Sequence, residues 1–398
     1  MESLSEKILR SAQAADRNAV QLVHDLLEIA VAERASDLHI EPANDTVTIL
    51  LRVDGVLRRV ADLQPALAPY IVGRIKVLSE LLTYRTDLAQ EGRIVFENDG
   101  HQIAIRISVF PAAHGEKIVA RIFDPVQRLK TLDSLGFDPA ALSALREGLV
   151  AGEGIILFTG PAGSGKTTTI YACLAALVEV DGGRRSVVTV EDPIEFSIPG
   201  VTQTETNPRV GLTFAASLAH LLRQDPEVLM VGEIRDAETA KIAVEAGLVG
   251  HLLLSTMHCG DCAGAFTRLL DMGLEPYLVT SSVRMVVAQR LLRALCPQCR
   301  RPGESAAPVE GFGEHFEAVG CPQCLQTGYS GRFPIAEVLT MTDPLRRAIL
   351  DRADSARLRE IAAAERRGPS LYEAALDRVK SGCTTFKEVG RVFGSKCG

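Results

Sequence analysis

The stretch "GIILFTGPAGSGKTTTIYACLAALVEV", residues 154–180, constrains the fold more than any other part of this chain. An apolar run reads as a buried strand, and the residues after Lys166 read as a helix. Between them lies the loop Gly160-Pro161-Ala162-Gly163-Ser164-Gly165-Lys166-Thr167, which is G-x-x-x-x-G-K-T in the strand–loop–helix context that gives the pattern its meaning. Glycines let backbone N–H groups turn inward around phosphate oxygens, and the helix N-terminus adds its positive end. Lys166 is placed to reach the β and γ phosphates, and the Thr167 hydroxyl to ligate Mg²⁺. The expected ATP-binding set is Gly160, Pro161, Ala162, Gly163, Ser164, Gly165, Lys166, Thr167 and Thr168. A glycine turn that merely contains Lys and Thr is the bland alternative, and the flanking strand and helix weigh against it.

Around this unit, residues 136–292 alternate apolar strands with helices, the pattern of a mostly parallel α/β sheet. Upstream, "RNAVQLVHDLLEIAVAER" at 17–34 repeats apolar positions at helical spacing. Short β-branched runs follow, broken by Asp-Gly at 54–55 and 99–100, which are hairpin signals, with a helix expected over 65–82. These features predict a small α+β domain. The expected organisation is an N-terminal extension 1–17, an α+β domain 18–125, a linker 126–135, the P-loop ATPase domain 136–292, a cysteine subdomain 293–333 and a mostly helical C-terminal region 334–398.

Three further strands end in polar groups. "SVVTVEDPIEF" delivers Glu191 and Asp192, "EVLMVGEIRD" delivers Glu233, and "HLLLSTMH" delivers His258. In an open parallel sheet the ligand lies outside the carboxyl ends of the strands, so these groups should converge where the loop holds a triphosphate. Glu233 is the candidate to activate or position the attacking water, with Glu191 its partner around water and Mg²⁺. Capping of a following helix is the alternative for Glu191. His258 is read as a γ-phosphate sensor or as a strand-end histidine bonded to neighbouring backbone, and His251 as structural or a relay.

The tetrapeptide Cys-Pro-Gln-Cys occurs twice, at 296–299 and 321–324, within a chain of nine cysteines. Two C-x-x-C pairs about twenty residues apart fit a tetrahedral Cys₄ site, so Cys296, Cys299, Cys321 and Cys324 are expected to hold structural Zn²⁺. A redox pair would need one C-x-x-C opening a helix after a strand. Nucleic-acid reading is disfavoured: Arg293, Arg300, Arg301 and Arg332 are balanced by Glu304, Glu310, Glu314 and Glu317, and the net charge of −7 gives no basic footprint. Those arginines are instead expected to offset the negative charge of the thiolate site. Cys259 and Cys262 form a third C-x-x-C beside the catalytic strands, read as buried thiols or, alternatively, as a metal or redox pair. With 46% hydrophobic residues but no apolar run of membrane-span length and no signal-like N-terminus, the protein is expected to be soluble and cytoplasmic.

"GPAGSGKTT", "VEDPIEF", "LLRQDPEVLMVGEIRDAETA", "GHLLLSTMH" and "AQRLLRALCPQC" resemble the Walker A, Asp box, Walker B, His box and following segment of the secretion traffic ATPases. "ASDLHIEP", "LRVDGVL", "AQEGRI" and "IRISVFPAAHGEKIVARIFD" are similar to that family's Per-Arnt-Sim-like domain. The resemblance runs from about residue 18 to the C-terminus. It implies a RecA-like α/β ATPase domain, a PAS-like N-terminal domain, and a homohexamer at the inner face of the inner membrane, associated with it through inner-membrane platform proteins. Arg106 and Arg121 match arginines that close over the nucleotide in the family. Arg93, Arg223 and Arg235 are weaker candidates for contacts between domains or subunits.

The resemblance also implies ATP hydrolysis driving pseudopilus or pilus assembly, with type II secretion read as closest. A type IV pilus or competence motor is the alternative, and a nucleic-acid or type IV secretion translocator the more distant one. The cysteine pairs point to assembly members. Two departures stand out. Only about 17 residues precede the first helix, which implies a short form, or a sequence lacking the further domain with which many members dock. The family's His-Thr-Asn-Asp run is here His258-Cys259-Gly260-Asp261.

Overall fold

A computed structural model describes residues 4–14, 19–98, 100–123, 130–303 and 315–394. The chain divides into two compact units, Met1–Arg128 and Leu129–Gly398. The expected linker at 126–135 lies partly outside the described residues.

The first unit comprises helices α1 (Leu4–Ala14) and α2 (Ala19–Ala32), strands β1 (Asp37–Pro42), β2 (Val47–Val53) and β3 (Val56–Leu63), helix α3 (Ala68–Leu78), and strands β4 (Gln90–Asn98), β5 (His101–Ala112) and β6 (Gly115–Phe123). The strands form one antiparallel sheet in the order β3-β2-β1-β6-β5-β4. Asp54 and Gly55, both at positive φ, make the tight turn between β2 and β3 that their pairing predicts. Alternation decides which face is dry: Ile103, Ile105, Ile107 and Val109 of β5 are buried in one cluster with Leu22, Leu26, Ile71 and Ile75 of the helices. Helix α1 falls in the stretch expected as a plain extension. Its Ile8 and Ala12, one turn apart, bury in the same cluster.

The opposite face carries charge. Cross-strand register aligns Arg52, Asp37, Arg121, Arg106 and Arg93 on β2, β1, β6, β5 and β4. Asp37, 4% exposed, accepts from Arg121 at 2.9 Å and lies 3.4 Å from Arg52. Arg106 donates to Glu91 at 2.7 Å.

The second unit contains α4 (Pro139–Ala151), β7 (Gly154–Thr159), α5 (Lys166–Val180), β8 (Val187–Glu191), β9 (Thr202–Glu205), α6 (Phe214–Leu221), β10 (Val228–Val231), α7 (Ala237–Leu248), β11 (Leu252–Met257), α8 (Cys262–Asp271) and α9 (Pro276–Ser282). It continues with β12 (Val283–Leu295), the short β13 (Arg301–Pro302) and β14 (Phe316–Glu317), β15 (Tyr329–Thr340), and helices α10 (Asp343–Leu350), α11 (Ser355–Glu365), α12 (Leu371–Lys380) and α13 (Phe386–Phe393). The sheet order is β15-β12-β7-β11-β10-β8-β9, parallel throughout except for the antiparallel β12–β15 pair.

Both faces of this sheet are covered, which is why its strands are continuous apolar runs. Ile155 and Leu157 of β7 face one core with α7 to α13, while Ile156 and Phe158 face another with α4 and α5. The sequence placed the cysteine subdomain over 293–333; in the fold, β12 and β15 are a long hairpin of the main sheet and the cysteines sit in its connection. Among the described residues no helix is long and apolar enough to cross a membrane.

Candidate active site and four-cysteine centre

Strand β7 ends at Thr159 and the loop turns immediately. Gly160, Gly163 and Gly165 all take positive φ, and at two of them a side chain has no room: a Cβ on Gly160 would lie 2.5 Å from the Gln289 carbonyl oxygen, and one on Gly165 would lie 2.9 Å from Gln289 Nε2. Lys166 opens α5 and folds back over the loop, donating to the carbonyls of Gly160 at 2.8 Å and Pro161 at 3.1 Å. Burial lowers its ammonium to about 8, against the attraction of Glu233. Ser164 Oγ is buried and has no hydrogen-bond partner among the described residues.

Neighbouring strand ends bring two of the expected residues together here. Glu233 follows β10, its Oε1 paired with Arg235. Its Oε2 is buried, has no hydrogen-bond partner among the described residues, and lies 3.4 Å from His258 Nε2 after β11. The loop after His258 is pinned to β7, because the Thr159 hydroxyl donates to the Cys259 carbonyl at 3.1 Å and accepts from the Cys259 N–H at 3.0 Å. Arg235, a weaker candidate for a contact between domains or subunits, pairs with Glu233 within this site. His251 lies at the far end of β11, its Nδ1 3.1 Å from the Ala246 carbonyl.

Glu191 is 2% exposed at the end of β8. Its Oε2 accepts from the Tyr171 hydroxyl of α5, and its Oε1 accepts from Thr189 at 2.7 Å and Gln203 at 2.9 Å. Burial and the Glu191 charge raise the Tyr171 phenol well above its usual range, so Tyr171 stays a donor. Glu191 thereby fixes α5 and the β8–β9 edge, and it caps no helix. Asp236 is the residue that caps, accepting from the Thr239 N–H at 2.8 Å.

Buried Gln289 on β12 was not expected from sequence. Its Nε2 donates to the Ser164 carbonyl at 2.8 Å and its Oε1 accepts from Thr169 at 3.0 Å. A polar residue inside the apolar run "VRMVVAQRLLRAL" was the available signal.

The sulfurs of Cys296, Cys299, Cys321 and Cys324 lie within 4.8 Å of one another, and this is the one group close enough to hold a metal among the described residues. Three of the Sγ separations are 3.7–3.9 Å, against about 3.8 Å for the edge of a tetrahedron with Zn–S bonds of about 2.3 Å. Burial raises the Cys324 thiol, but N–H groups of Cys321 and Gly328 at 3.2 and 3.1 Å, together with the Cys321 and Cys299 thiols, outweigh it and bring it to about 6. Donor set, spacing and hydrogen bonding all fit a thiolate-bound metal ion. Cys262, by contrast, turns into the core toward the carbonyls of Val286 and Glu337, as a buried thiol.

The expectation that arginines offset the thiolates is overturned for Arg293, whose charge is taken by a carboxylate. Arg293 lies over the Tyr329 ring, and its Nε and Nη2 both donate to Oε2 of Glu388 of α13, at 2.9 and 2.7 Å, while Arg300 donates to the Gly382 carbonyl at 2.9 Å. Both were claimed by C-terminal partners that sequence spacing does not reveal. Glu388 is fully buried, and although burial opposes its charge, Arg391 and Arg293 hold the carboxyl below its usual range. A depressed carboxylate contributes stability above its unfolded pKa that is lost as pH falls through the folded value. Glu388→Gln is therefore expected to cost about 3–5 kcal/mol at neutral pH and to flatten the acid side of the stability profile. Denaturant unfolding followed from about pH 7 to about pH 2 measures both effects.

Residues 12–391 match the family described as Type II/IV secretion system protein. The chain belongs to that family. The Type II secretion system ATPase E of Vibrio cholerae is 43% identical over 98% of this chain and 77% of its own length. The Type IV pilus assembly ATPase PilB of Myxococcus xanthus is 40% identical over 97% of the chain and 70% of its own. Among solved structures, the Legionella pneumophila ATPase DotB superposes with a TM-score of 0.68 at 21% identity, covering 92% of this chain and 94% of its own, and the pilus retraction motor PilT with 0.62 at 22%, covering 92% and 96%. These share its fold. This member of the Type II/IV secretion family is a secretion ATPase, with the RecA-like α/β domain and C-terminal helices that the sequence led one to expect.

Proposed function

We propose that this secretion ATPase binds ATP over Gly160–Thr168 and hydrolyses it with Glu233, as one subunit of a hexameric motor that drives pseudopilus assembly for type II secretion. One observation carries the reading: Glu233 Oε2 is buried, has no hydrogen-bond partner among the described residues and lies 3.4 Å from His258 Nε2, and the charge of Glu233 acts on Lys166. A buried acceptor left open in a native fold calls for a partner, and a water in line with a phosphate supplies it. The open Ser164 hydroxyl in the same loop fits a phosphate oxygen in the same way. Mg²⁺, when bound at Thr167, neutralises charge on the phosphates. Lys166 exchanges its carbonyl partners for phosphate oxygens, His258 senses the γ-phosphate, and Glu191 holds α5 in place through Tyr171.

Arg106 and Arg121 add charge from the first unit. In the first unit Arg121 pairs with Asp37 and Arg106 with Glu91, so their proposed role at the nucleotide rests on their match to the family's arginines. Arg106→Ala and Arg121→Ala should each lower turnover about a hundredfold while affinity for a fluorescent ADP analogue stays near that of the parent. Equal loss of affinity would place these arginines in ground-state binding.

Cys296, Cys299, Cys321 and Cys324 hold Zn²⁺ in this reading, and its role is structural because four thiolates complete the coordination. Membrane platform proteins are the expected partners at the cytoplasmic face of the inner membrane. Phosphate release decides the machine class: stimulation by purified platform protein in lipid vesicles supports assembly, and stimulation by DNA alone overturns it. The 40% identity to a pilus assembly ATPase keeps pilus assembly as the second reading.

A further inference from the structure

The phosphate loop rests on a side chain from a distant strand. Gln289 lies in β12, 1% exposed, at a sheet position where its neighbours Val287 and Ala288 are apolar and buried. Leucine would pack there as well, yet the chain places a carboxamide, and both of its polar atoms are used. Nε2 donates to the Ser164 carbonyl at 2.8 Å. Oε1 accepts from Thr169, whose hydroxyl also reaches the Gly165 carbonyl at 3.2 Å.

The peptide between Ser164 and Gly165 is trans and planar, so its C=O and N–H point in opposite directions. Drawing the Ser164 carbonyl down onto Gln289 turns the Gly165 N–H away from β12, toward the open side of the loop. Gly165, left-handed and with no room for a Cβ above Nε2, lets the loop settle that closely onto the strand. Thr169 fixes the same carboxamide to the first turn of α5, so Gln289 sets both the tilt of one peptide and its position relative to the helix N-terminus.

We propose that Gln289 is a positioning residue for nucleotide binding: its carboxamide pre-sets the Ser164–Gly165 peptide so that the Gly165 N–H faces the phosphates. This rests on the loop being the ATP site. Without the donor, the buried Ser164 carbonyl is unpaired and the peptide is free to turn over. Arg290, next on the strand, donates to the Gly260 carbonyl at 2.9 Å and holds the loop after His258, leaving the carboxamide as the tie to the phosphate loop itself.

The test measures the affinity of the full-length protein for a fluorescent ADP analogue with Mg²⁺, alongside the thermal midpoint without nucleotide. Gln289→Met and Gln289→Leu stay close to the volume of the side chain and remove the donor, and each should weaken binding by folded protein about tenfold or more, beyond any fall in the midpoint. Thr169→Val leaves the Ser164 tie intact and should change affinity less than about threefold. If the leucine variant does not fold, the methionine variant decides, since it is unbranched like glutamine and carries no donor. Binding within about twofold of the parent by either folded variant overturns the proposal, as does a loss that only tracks the folded fraction. Unchanged binding by Lys166→Ala would instead overturn the reading of the loop as the nucleotide site.

Discussion

Glu233→Gln is expected to lower ATP turnover by a factor of about 10²–10⁴ while nucleotide binding persists. The carboxamide keeps the shape and one acceptor of the side chain, but it cannot take a proton from water or hold a full negative charge beside it. The buried Oε2, 3.4 Å from His258 and with no hydrogen-bond partner among the described residues, is the atom whose chemistry changes. Lys166→Ala is the complementary case. It removes the ammonium that folds over Gly160 and Pro161, and it should abolish binding and turnover together. Single-turnover phosphate release and equilibrium binding of a fluorescent ADP analogue separate the two. If Glu233→Gln loses affinity and rate in parallel, the carboxylate is holding the loop together and the attacking water is positioned elsewhere.

The second large effect is expected at the four-cysteine centre. Cys296→Ser or Cys321→Ser should release the metal and lower the thermal midpoint by about 10 °C or more. That follows if even a third of the ~10 kcal/mol contributed by zinc in small metal-dependent domains is at stake here, at about 2–4 °C per kcal/mol for a unit of this size. The damage spreads because Cys296 directly follows β12, where Arg293 anchors Glu388. Metal analysis should find about one zinc per chain. A strong chelator should reproduce the loss, and added Zn²⁺, but not Mg²⁺, should reverse it. A metal-free preparation with an unchanged midpoint in the serine variants would sink the zinc assignment.

Local features were legible in the sequence where a residue's role is decided by its neighbours. The strand into Thr159, the glycine loop and helix α5 are such a case, since an apolar run, left-handed turns and a helix start are all short-range. Glu233 and His258 were legible for a related reason: they end apolar runs, and parallel strands place such ends together. Gln289 was missed because Ser164 lies 125 residues away along the chain. The closed bonding of Glu191 depends on Tyr171 facing it from α5, which no spacing shows. The cysteine pairs drew a boundary at 293 that the sheet ignores, because a motif marks chemistry and strands continue through it. Helix α1 escaped because two buried residues, Ile8 and Ala12, make a thin stripe.

The division of the two cores also has a consequence for synthesis. Everything buried in the first unit's cluster lies between Ile8 and Ile122, so that unit can close while the rest of the chain is still on the ribosome. The larger unit cannot. Its sheet buries Ile155 and Val286 against Leu345, Ala375 and Val389, and Arg293 waits for Glu388. Until the last helices emerge, one apolar face of a nearly complete parallel sheet stays open to other nascent chains. A truncation that removes α13 should therefore be felt as aggregation during production, well before any loss of catalysis could be measured.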